Sequence, residues 1–404
     1  MNSAVLFQGQ GQYHTDYIRK LLRDTPSLKS IWIEAEQILG WSPESLLNHT
    51  DNVGSLTTDY AQPLIFLMEM TGWYRFSEMM KQPPSFFAGH SLGELTALTA
   101  AGAISFQNGL QLVAKRGELM QQCMPEIAQG MLALRNCTIE QAKQLCLQAF
   151  EETGERCYCA NYNASNNIVL SGTHKALSWI AARDNLRTVS LSVTRAFHTA
   201  FMKHATDQLM EYIHSKKISF ILPEIPVLSN FTGRPYQTSW SFPELICRQI
   251  ISPVQWKSCI EYLHKSGTTV FLQVSDSHLF EAMARSDLSH AYWGNLEEVA
   301  SGKVYDFDAL YPAATSRKKY IGDLKSEILC RMTGDPWPEA VTSEQRQKAK
   351  TLYLQTTELL SDRDISKDAF MQAVNNLNEI LKMKRISEQN LIEILIEKYG
   401  LQGV

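Results

Sequence analysis

One short stretch limits the fold of this chain more than any other, residues 84–102, which read PSFFAGHSLGELTALTAAG. The apolar run S-F-F-A is typical of a short buried strand, and the pattern after Ser91 is typical of a helix that ends near Gly102. Between them stands G-H-S-L-G, a G-x-S-x-G motif. A nucleophilic serine must project from a sharp turn between strand and helix, where glycines permit close backbone contacts and the helix N-terminus favours a developing oxyanion. The stretch therefore predicts a nucleophile at Ser91, with an ordinary turn between a strand and a helix as the alternative.

A serine hydroxyl is a weak nucleophile without a base, and the chain has 10 histidines. His198 lies in V-T-R-A-F-H-T-A-F-M, just after the strand-like T-V-S-L-S-V, where a loop leaves the predicted strand. We expect His90, the neighbour of Ser91, to point away along the turn and to have a structural role. Five others lie in polar or helical stretches typical of solvated surface: His14, His49, His174, His214 and His264. His198 is therefore the candidate base.

Composition narrows the class of protein. The 404 residues are 44% hydrophobic and 20% charged, with a net charge of −4, so a globular fold is expected and nucleic acid is not an expected partner. We find neither a secretory signal nor an apolar run of about 18 residues, so no membrane association is expected. The 8 cysteines are scattered without a C-x-x-C pair or metal-ligand spacing. Free thiols, no metal site and a cytoplasmic location are expected.

The order of strand-like and helical stretches predicts an α/β fold in three parts. Residues 1–129 and 197–312 are expected to form a large α/β domain. Residues 130–196 alternate strand-like and helical stretches, which predicts a small α+β subdomain. Residues 313–404 are polar, with apolar residues at helical spacing, which predicts a helical C-terminal extension. Its role cannot be read from the sequence.

Three motifs carry a family resemblance: G-H-S-L-G-E at the serine, G-Q-G-Q after a predicted strand at 3–7, and A-F-H-T-A-F-M around His198. Further matches follow in order, namely L-V-A-K-R-G-E-L-M-Q, C-A-N-Y-N-A-S-N-N-I-V-L-S-G, I-P-V-L-S-N-F-T-G-R-P-Y and I-S-P-V-Q-W. Over about residues 3–300 the chain resembles the malonyl-CoA:acyl carrier protein acyltransferases of fatty acid and polyketide synthesis. The resemblance implies an α/β-hydrolase-like large domain, an inserted ferredoxin-like subdomain and an active site in the cleft between them.

The resemblance also implies roles for matching positions. Ser91 would carry the acyl group as an ester, and His198 would act as general base and then as general acid. The backbone carbonyl of Gln255, in the P-V-Q-W segment, would orient the histidine. The backbone N–H groups of Gln10 and Leu92 would form the oxyanion hole, which explains a glycine-rich turn after the first strand.

Arg116, in K-R-G-E-L-M, matches the arginine with which this family binds the free carboxylate of a malonyl group. A guanidinium can grip a carboxylate through two parallel hydrogen bonds, whereas the alternative is an ordinary surface arginine on a helix. The A-F-H sequence is similar to that of family members that use malonyl rather than methylmalonyl units. The reason for that preference would be that Phe197 crowds a branched α-carbon. The resemblance therefore implies a malonyl substrate.

The chain departs from the family pattern at several positions. The family's F-P-G-Q-G-S-Q is F-Q-G-Q-G-Q-Y here, and the serine after the A-F-H motif is Thr199. A glycine-rich turn near the end of the core is replaced by L-Q-V-S-D-S at residues 272–277. The tail beyond about residue 313 lies outside the resemblance. None of these changes removes a catalytic atom.

The predicted activity is transfer of malonyl from coenzyme A to the phosphopantetheine thiol of an acyl carrier protein, without a metal or redox cofactor. A discrete enzyme with a helical tail suits a trans-acting partner of a polyketide synthase assembly line. Two alternatives are an acyl hydrolase that clears stalled acyl chains, which has little use for the Arg116 clamp, and a non-catalytic docking module. Because carrier proteins are acidic, basic residues near the cleft are candidates for steering them: Arg183, Arg187, Arg195 and Lys203.

Overall fold

The computed structural model divides the chain into two compact units, one of residues 1–264 and 268–305 and one of residues 265–267 and 306–404. It describes residues 2–10, 15–80, 83–124, 126–183, 186–275, 277–284, 288, 291–295, 298, 342, 345, 347–349, 351–352, 355 and 376. The predicted helical extension, 313–404, therefore lies almost wholly outside the described residues. Those of its residues that are described are helical apart from Thr342.

The described elements mix strands and helices along the chain instead of grouping them in separate halves. The strands are β1 (Asn2–Phe7), β2 (Phe86–Gly89), β3 (Gln129–Arg135), β4 (Cys157–Ala164), β5 (Asn167–Thr173), β6 (Arg187–Ser190), β7 (Leu228–Ser229), β8 (Arg234–Pro235), β9 (Thr268–Gln273) and β10 (Tyr292–Asn295). The α-helices are α1 (Thr15–Asp24), α2 (Lys29–Leu39), α3 (Pro43–Asn48), α4 (Thr58–Met79), α5 (Leu92–Ala100), α6 (Phe106–Gln122), α7 (Ile139–Thr153), α8 (His174–Ala181), α9 (Lys203–Ser215), α10 (Phe242–Ile251), α11 (Trp256–Lys265) and α12 (Leu279–Ala284).

A parallel sheet with strand order β10-β9-β1-β2 forms the centre of the first unit. Residues 4–7 of β1 are fully buried, as expected for a parallel strand that is covered on both faces. Phe7 of β1 pairs with Gly89 of β2, so the two strands end side by side. The turns that follow them, one leading to Gln10 and one to Ser91, therefore lie together at the carboxyl edge of the sheet.

A second, antiparallel sheet has strand order β4-β5-β3-β6. Its apolar face packs against α7 and α8, through side chains such as Leu134, Ile168 and Ile180. A capping box starts α7, since the Thr138 hydroxyl accepts from the N–H of Gln141 and the Gln141 side chain accepts from the N–H of Thr138. This helix-on-sheet layer is built from residues 129–190.

The antiparallel sheet is joined by backbone to the segment that precedes α11. The N–H of Val254 donates to the carbonyl of Ala160 on β4 at 2.8 Å, and the N–H of Tyr162 donates to the carbonyl of Val254 at 2.9 Å. This link brings Asn161 and Asn163 of β4 to the serine turn, where both contact His90.

The predicted elements around the serine agree closely with the structure. The strand expected at 85–88 is β2, and the helix expected at 92–101 is α5, which ends one residue earlier. The I-P-V-L-S-N segment contributes the two-residue strand β7, which pairs with the equally short β8. Among the helices that the structure describes, none has the length and apolar character needed to cross a membrane.

Candidate active site

Ser91 stands at the sharp turn between β2 and α5, with φ of 54° and ψ of −106°. A positive φ in a residue other than glycine is strained, and such strain is characteristic of a nucleophile held at a turn. The flanking glycines are required by space. A Cβ on Gly89 would lie 1.9 Å from the carbonyl oxygen of Gly93, and a Cβ on Gly93 would lie 2.3 Å from that of Phe7.

His198 and Ser91, 107 positions apart in the sequence, meet in the fold with 2.7 Å between Ser91 Oγ and His198 Nε2. His198 also has a positive φ, of 60°, and its side chain is 3% exposed. Its Nδ1 lies 2.8 Å from the carbonyl oxygen of Gln249. Because a carbonyl can only accept, Nδ1 carries the proton and Nε2 is left as the acceptor for the serine hydroxyl.

The prediction that the Gln255 carbonyl orients His198 was wrong, since the carbonyl that contacts His198 Nδ1 belongs to Gln249. The backbone of Gln255 is already used, because its carbonyl accepts from Cys259 in the first turn of α11 and its N–H donates to Asn230. Gln249 lies in the last turn of α10, where carbonyls have no intrahelical donor and can accept from a side chain. The end of the F-P-E-L-I-C-R-Q-I helical pattern is the signal that could have identified it.

Burial, and after it the positive charge of Arg116, lowers the pKa of His198 to about 3. The carbonyl of Gln249 acts in the opposite direction by stabilising the protonated ring. The imidazole is therefore neutral at physiological pH, as a base must be before it accepts a proton.

Arg116, on α6, is not a surface arginine, since it is only 1% exposed. Its guanidinium donates to Gln62 Oε1 at 2.7 Å, to Gln249 Oε1 at 2.9 Å and to Ser91 Oγ at 3.1 Å. Its Nε has no hydrogen-bond partner within the described part of the chain. Burial lowers the pKa of Arg116 to about 10, whereas the Glu94 carboxylate raises it. The side chain is thus a buried cation that touches the serine oxygen.

Behind Ser91 lies a buried polar network that the sequence reasoning missed. Glu94, in the first turn of α5, accepts from the side chains of Gln249 and Tyr236 and from the N–H of Asn230. Asn230 in turn accepts from the N–H of Ser91 at 2.6 Å, and Gln249 Nε2 donates to the Ser91 carbonyl at 2.8 Å. Burial raises the pKa of Glu94 to about 7, against these hydrogen bonds. The available signal was the acidic residue directly after the G-x-S-x-G motif, in the first turn of the predicted helix.

The two residues predicted for the oxyanion hole lie on the two adjacent turns. Leu92 is the first residue of α5 and is fully buried, and Gln10 is half-buried in the turn after β1. The turn is pressed against the serine motif, since a Cβ on Gly9 would lie 2.1 Å from the carbonyl oxygen of His90. Both predicted donors therefore belong to backbone that borders Ser91.

His90 points away from the Ser91–His198 pair. Its Nε2 lies 2.9 Å from Asn163 Oδ1, and its ring packs edge-on against Trp256. Burial lowers the pKa of His90 to about 4. The contacts tie the serine turn to the antiparallel sheet, which is the structural role expected for this histidine.

The loop at 272–277, where the chain departs from the family pattern, lies against the turn after β1. Gln273 Nε2 donates to the hydroxyls of Ser275 and Ser277, and Ser277 Oγ donates to Gln8 Oε1 at 2.7 Å. Asp276 is outside the described residues. This departure from the family pattern therefore replaces a glycine-rich turn with a serine-rich loop that contacts Gln8.

The four basic residues suggested for steering a partner differ in their surroundings. Arg183 and Arg187 are exposed, and the Arg183 guanidinium lies 3.7 Å from the centre of the Trp179 ring. Arg195 donates to the carbonyl of Gln121, and Lys203 pairs with an aspartate one helical turn away. Arg195 and Lys203 thus have polar partners within the described part of the chain, whereas Arg183 lies over an aromatic ring. Their role in steering stays a prediction.

No group of three or more potential ligands that could hold a metal ion occurs among the residues that the structure describes. The cysteines of the described part are free thiols: Cys123, Cys137, Cys146, Cys157, Cys159, Cys247 and Cys259.

Residues 5–302, which include the whole of this site, match a family described as the acyl transferase domain. The malonyl CoA-acyl carrier protein transacylase of Bacillus subtilis is 31% identical over 286 residues, which cover 70% of this chain and 89% of that protein. The polyketide biosynthesis malonyl CoA-acyl carrier protein transacylase PksC of the same organism is 32% identical over 284 residues, covering 69% and 94%. A solved malonyl-CoA:ACP transacylase from Synechocystis sp. superposes with a TM-score of 0.66 at 29% identity, covering 74% of this chain and 100% of that one. The similarity in structure establishes a mixed α/β fold of this type.

Proposed function

This chain belongs to the acyl transferase family, and from that membership we propose that it moves a malonyl group from coenzyme A to the phosphopantetheine thiol of an acyl carrier protein. The names of its relatives support the substrate, the acceptor and the type of reaction. The acyl group would be carried as an ester of Ser91. The proposed chemistry requires no metal and no redox cofactor.

The observation that carries the proposal is the surroundings of one oxygen atom. Ser91 Oγ lies 2.7 Å from a neutral imidazole nitrogen of His198 and 3.1 Å from the buried guanidinium of Arg116. A nucleophile beside a base is suited to acyl transfer. A buried cation at the same atom is suited to an acyl group that carries its own negative charge.

In the acylation step, Ser91 Oγ attacks the thioester carbonyl while its proton moves to His198 Nε2. The negative charge that develops on the carbonyl oxygen would be stabilised by the backbone N–H groups of Gln10 and Leu92 and by the N-terminus of α5. The C–S bond then breaks, and the coenzyme A sulfur takes the proton from His198. The Gln249 carbonyl keeps Nε2 aimed at the reacting oxygen throughout.

The transfer step is the same chemistry in reverse, with a different thiol. The phosphopantetheine thiol gives its proton to His198 Nε2 and attacks the ester carbonyl. The new C–S bond forms, the C–O bond to Ser91 breaks, and the serine recovers its proton from His198.

We assign selection of the acyl group to Arg116. Its NH2 group faces Ser91 Oγ, and a malonyl carboxylate would replace the serine oxygen as a partner once the oxygen is esterified. A buried guanidinium that touches no carboxylate among the described residues favours a dicarboxylic acyl group over an acetyl group. The same feature argues against an acyl hydrolase, because a hydrolase that clears neutral acyl chains has no use for this cation.

The finer architecture belongs to the same proposal. The order β3-α7-β4-β5-α8-β6 with sheet order β4-β5-β3-β6 supports a ferredoxin-like subdomain. The parallel sheet with Ser91 at its carboxyl edge supports an α/β-hydrolase-like domain. The free thiols support a cytoplasmic location, where reducing conditions prevail. Exposed Arg183 and Arg187 are the proposed contacts for an acidic carrier protein.

The test is intact mass of the full chain after brief mixing with malonyl-CoA or acetyl-CoA, followed by addition of a phosphopantetheinylated carrier protein. We expect a malonyl adduct that is absent in Ser91→Ala, persists in water and moves to the carrier. An adduct that forms best from acetyl-CoA, and is lost to water without a carrier product, would refute the proposal and favour the hydrolase. An Arg116→Ala variant that keeps its preference for malonyl would refute the assignment of the carboxylate clamp.

A further inference from the structure

The turn after β1 contains Gly9, a residue whose backbone needs a contact from elsewhere to keep it in one conformation. Gly9 has φ of 71°, in the left-handed region, and packs directly on the serine motif. Because glycine has no Cβ, its backbone has more alternative conformations than that of any other residue. A shift of this turn would move the N–H of Gln10, which is the next residue. Something outside the turn must therefore hold Gly9 in place.

Glu69 supplies that contact from α4. The side chain is 1% exposed, and its Oε1 accepts from the N–H of Gly9 at 2.9 Å. Its other oxygen, Oε2, accepts from the hydroxyl of Thr96 at 2.7 Å. Thr96 lies on α5, the helix whose first residue is Leu92. One buried carboxyl group thus bridges the segment that precedes Gln10 and the helix that begins with Leu92.

The bridge joins the two pieces of backbone to which the oxyanion donors are assigned. Hydrogen-bond donors stabilise a developing negative charge only if they are already aimed at its position, since reorganising them costs free energy. The N–H of Gly9 is itself a buried donor, and it would lose its partner without Glu69. Loss of the carboxyl group would therefore free the turn and leave a polar group unsatisfied at the edge of the site.

We propose that Glu69 is a positioning residue of the oxyanion hole, which sets the separation of Gln10 and Leu92 by holding the turn after β1 to α5. The inference rests on the proposed function for the assignment of those two donors. Glu69 touches neither Ser91 nor the acyl group in this role, and it acts through Gly9 and Thr96.

The test compares Glu69→Ala and Glu69→Gln with the full-length wild type. A glutamine can accept from Gly9 through its oxygen and donate to Thr96 through its nitrogen, so it keeps the bridge without a carboxyl group. We measure the rate constants for malonylation of Ser91 and for its labelling by an alkyl fluorophosphonate. In the labelling, Ser91 Oγ bonds to phosphorus, fluoride leaves, the serine proton moves to His198, and the phosphoryl oxygen develops charge in the same hole.

We expect Glu69→Ala to lower both rate constants about tenfold or more with KM for malonyl-CoA changed less than about twofold, and Glu69→Gln to stay within about threefold of wild type. The matched control is Thr71→Val, on the same helix, where the hydroxyl is fully buried and accepts from Trp32 Nε1. It should lower the midpoint of denaturation without slowing either reaction. A Glu69→Ala protein that reacts as fast as Thr71→Val, or a Glu69→Gln protein as slow as Glu69→Ala, overturns the inference.

If Glu69→Ala does not fold, Thr96→Val takes its place. It removes only the contact of Glu69 Oε2 with α5, and a loss of a few-fold in both rates supports the bridge, whereas wild-type rates overturn it. The fluorophosphonate also separates this inference from the proposed function. Wild-type protein that is labelled by the probe but not malonylated refutes the malonyl substrate and leaves the comparison of Glu69 variants intact.

Discussion

The Nδ1 atom of His198 lies 2.8 Å from the backbone carbonyl oxygen of Gln249, and this contact decides which ring nitrogen faces Ser91. A carboxylate in that position would draw the proton and raise the pKa of the imidazole more strongly than a carbonyl does. With a neutral partner and a buried site, the histidine stays uncharged. The same residue supports Ser91 and Arg116 through its side chain, so Gln249 links the base, the nucleophile and the cation.

The first prediction separates Gln249 from Gln255. Gln249→Ala keeps the backbone carbonyl but removes the bonds of its side chain to Arg116, Glu94 and the Ser91 carbonyl. We expect the rate of malonyl transfer to fall about tenfold, because a buried guanidinium and a buried carboxyl group each lose a partner. Gln255→Ala is the matched control and should transfer within about twofold of wild type. Equal losses in the two variants, measured by initial rates of transfer, would contradict this role of the Gln249 side chain.

The second prediction concerns the choice of acyl group by Arg116. Arg116→Ala should lower kcat/KM for malonyl-CoA about 10- to 100-fold, with a much smaller effect on acetyl-CoA, because a charge-assisted bond to a carboxylate is lost. Lys115→Ala is the control, since Lys115 lies next to it on α6 but pairs with Glu118 toward solvent. The ratio of the two specificity constants is the quantity to measure. An unchanged ratio in Arg116→Ala would show that selection lies elsewhere.

The third prediction is the pH dependence of the reaction at Ser91. The pKa of His198 is lowered to about 3, mainly by burial, so the ring is protonated only as the pH falls toward that value. An ordinary imidazole would lose its activity as a base below about pH 6.5, and the rate would then fall about tenfold for each pH unit. We expect the rate of fluorophosphonate labelling not to begin such a fall near pH 6.5. Any inflection near pH 7 should disappear in Glu94→Gln, because the pKa of Glu94 is about 7. A fall near pH 6.5 in both proteins would contradict the prediction.

The fourth prediction is a contribution of Glu94 to stability that depends on pH. Burial raises its pKa from 4.5 to about 7, so protonation favours the folded state. The contribution is fully present below pH 4.5 and is lost as the pH rises through about 7. At about 1.4 kcal/mol for each pKa unit, the free energy of unfolding should fall by about 3 kcal/mol over this range relative to Glu94→Gln. His90 and His198 titrate in both proteins and cancel in the difference, which denaturant titrations at pH 5 and pH 8 would measure. A constant difference would contradict the prediction.

The fifth prediction compares two glycines with similar backbone angles. Gly9 has φ of 71° and Gly40 has φ of 74°, but a Cβ on Gly9 would lie 2.1 Å from the carbonyl oxygen of His90, whereas nothing lies within 4 Å of one on Gly40. Gly40→Ala should cost about 1–2 kcal/mol of stability and keep the activity. Gly9→Ala should lose both stability and acylation of Ser91, because the turn must move away from the serine. A Gly9→Ala variant with normal acylation would show that the close contact has no role.

Much of the site could be predicted because it depends on local geometry. The strand, the G-x-S-x-G turn and the helix around Ser91 are consecutive in the chain, and the close contact between Gly89 and Gly93 is local to that turn. His198 and Arg116 were identified through their surrounding motifs and their match to a family. The boundaries of β2 and α5 agree with the sequence pattern for the same reason, since periodicity and capping are local properties.

The amino-acid sequence by itself determined the α/β class, the turn at Ser91 and the candidate base His198, and its resemblance to a family identified the candidate clamp Arg116. Only the tertiary structure decided that Gln249 rather than Gln255 holds the base, and that Glu69 and Glu94 lie behind the site. Those contacts join residues 27 to 158 positions apart. A local pattern can encode backbone sterics, but the partners of a buried polar group depend on which distant segments converge when the core packs.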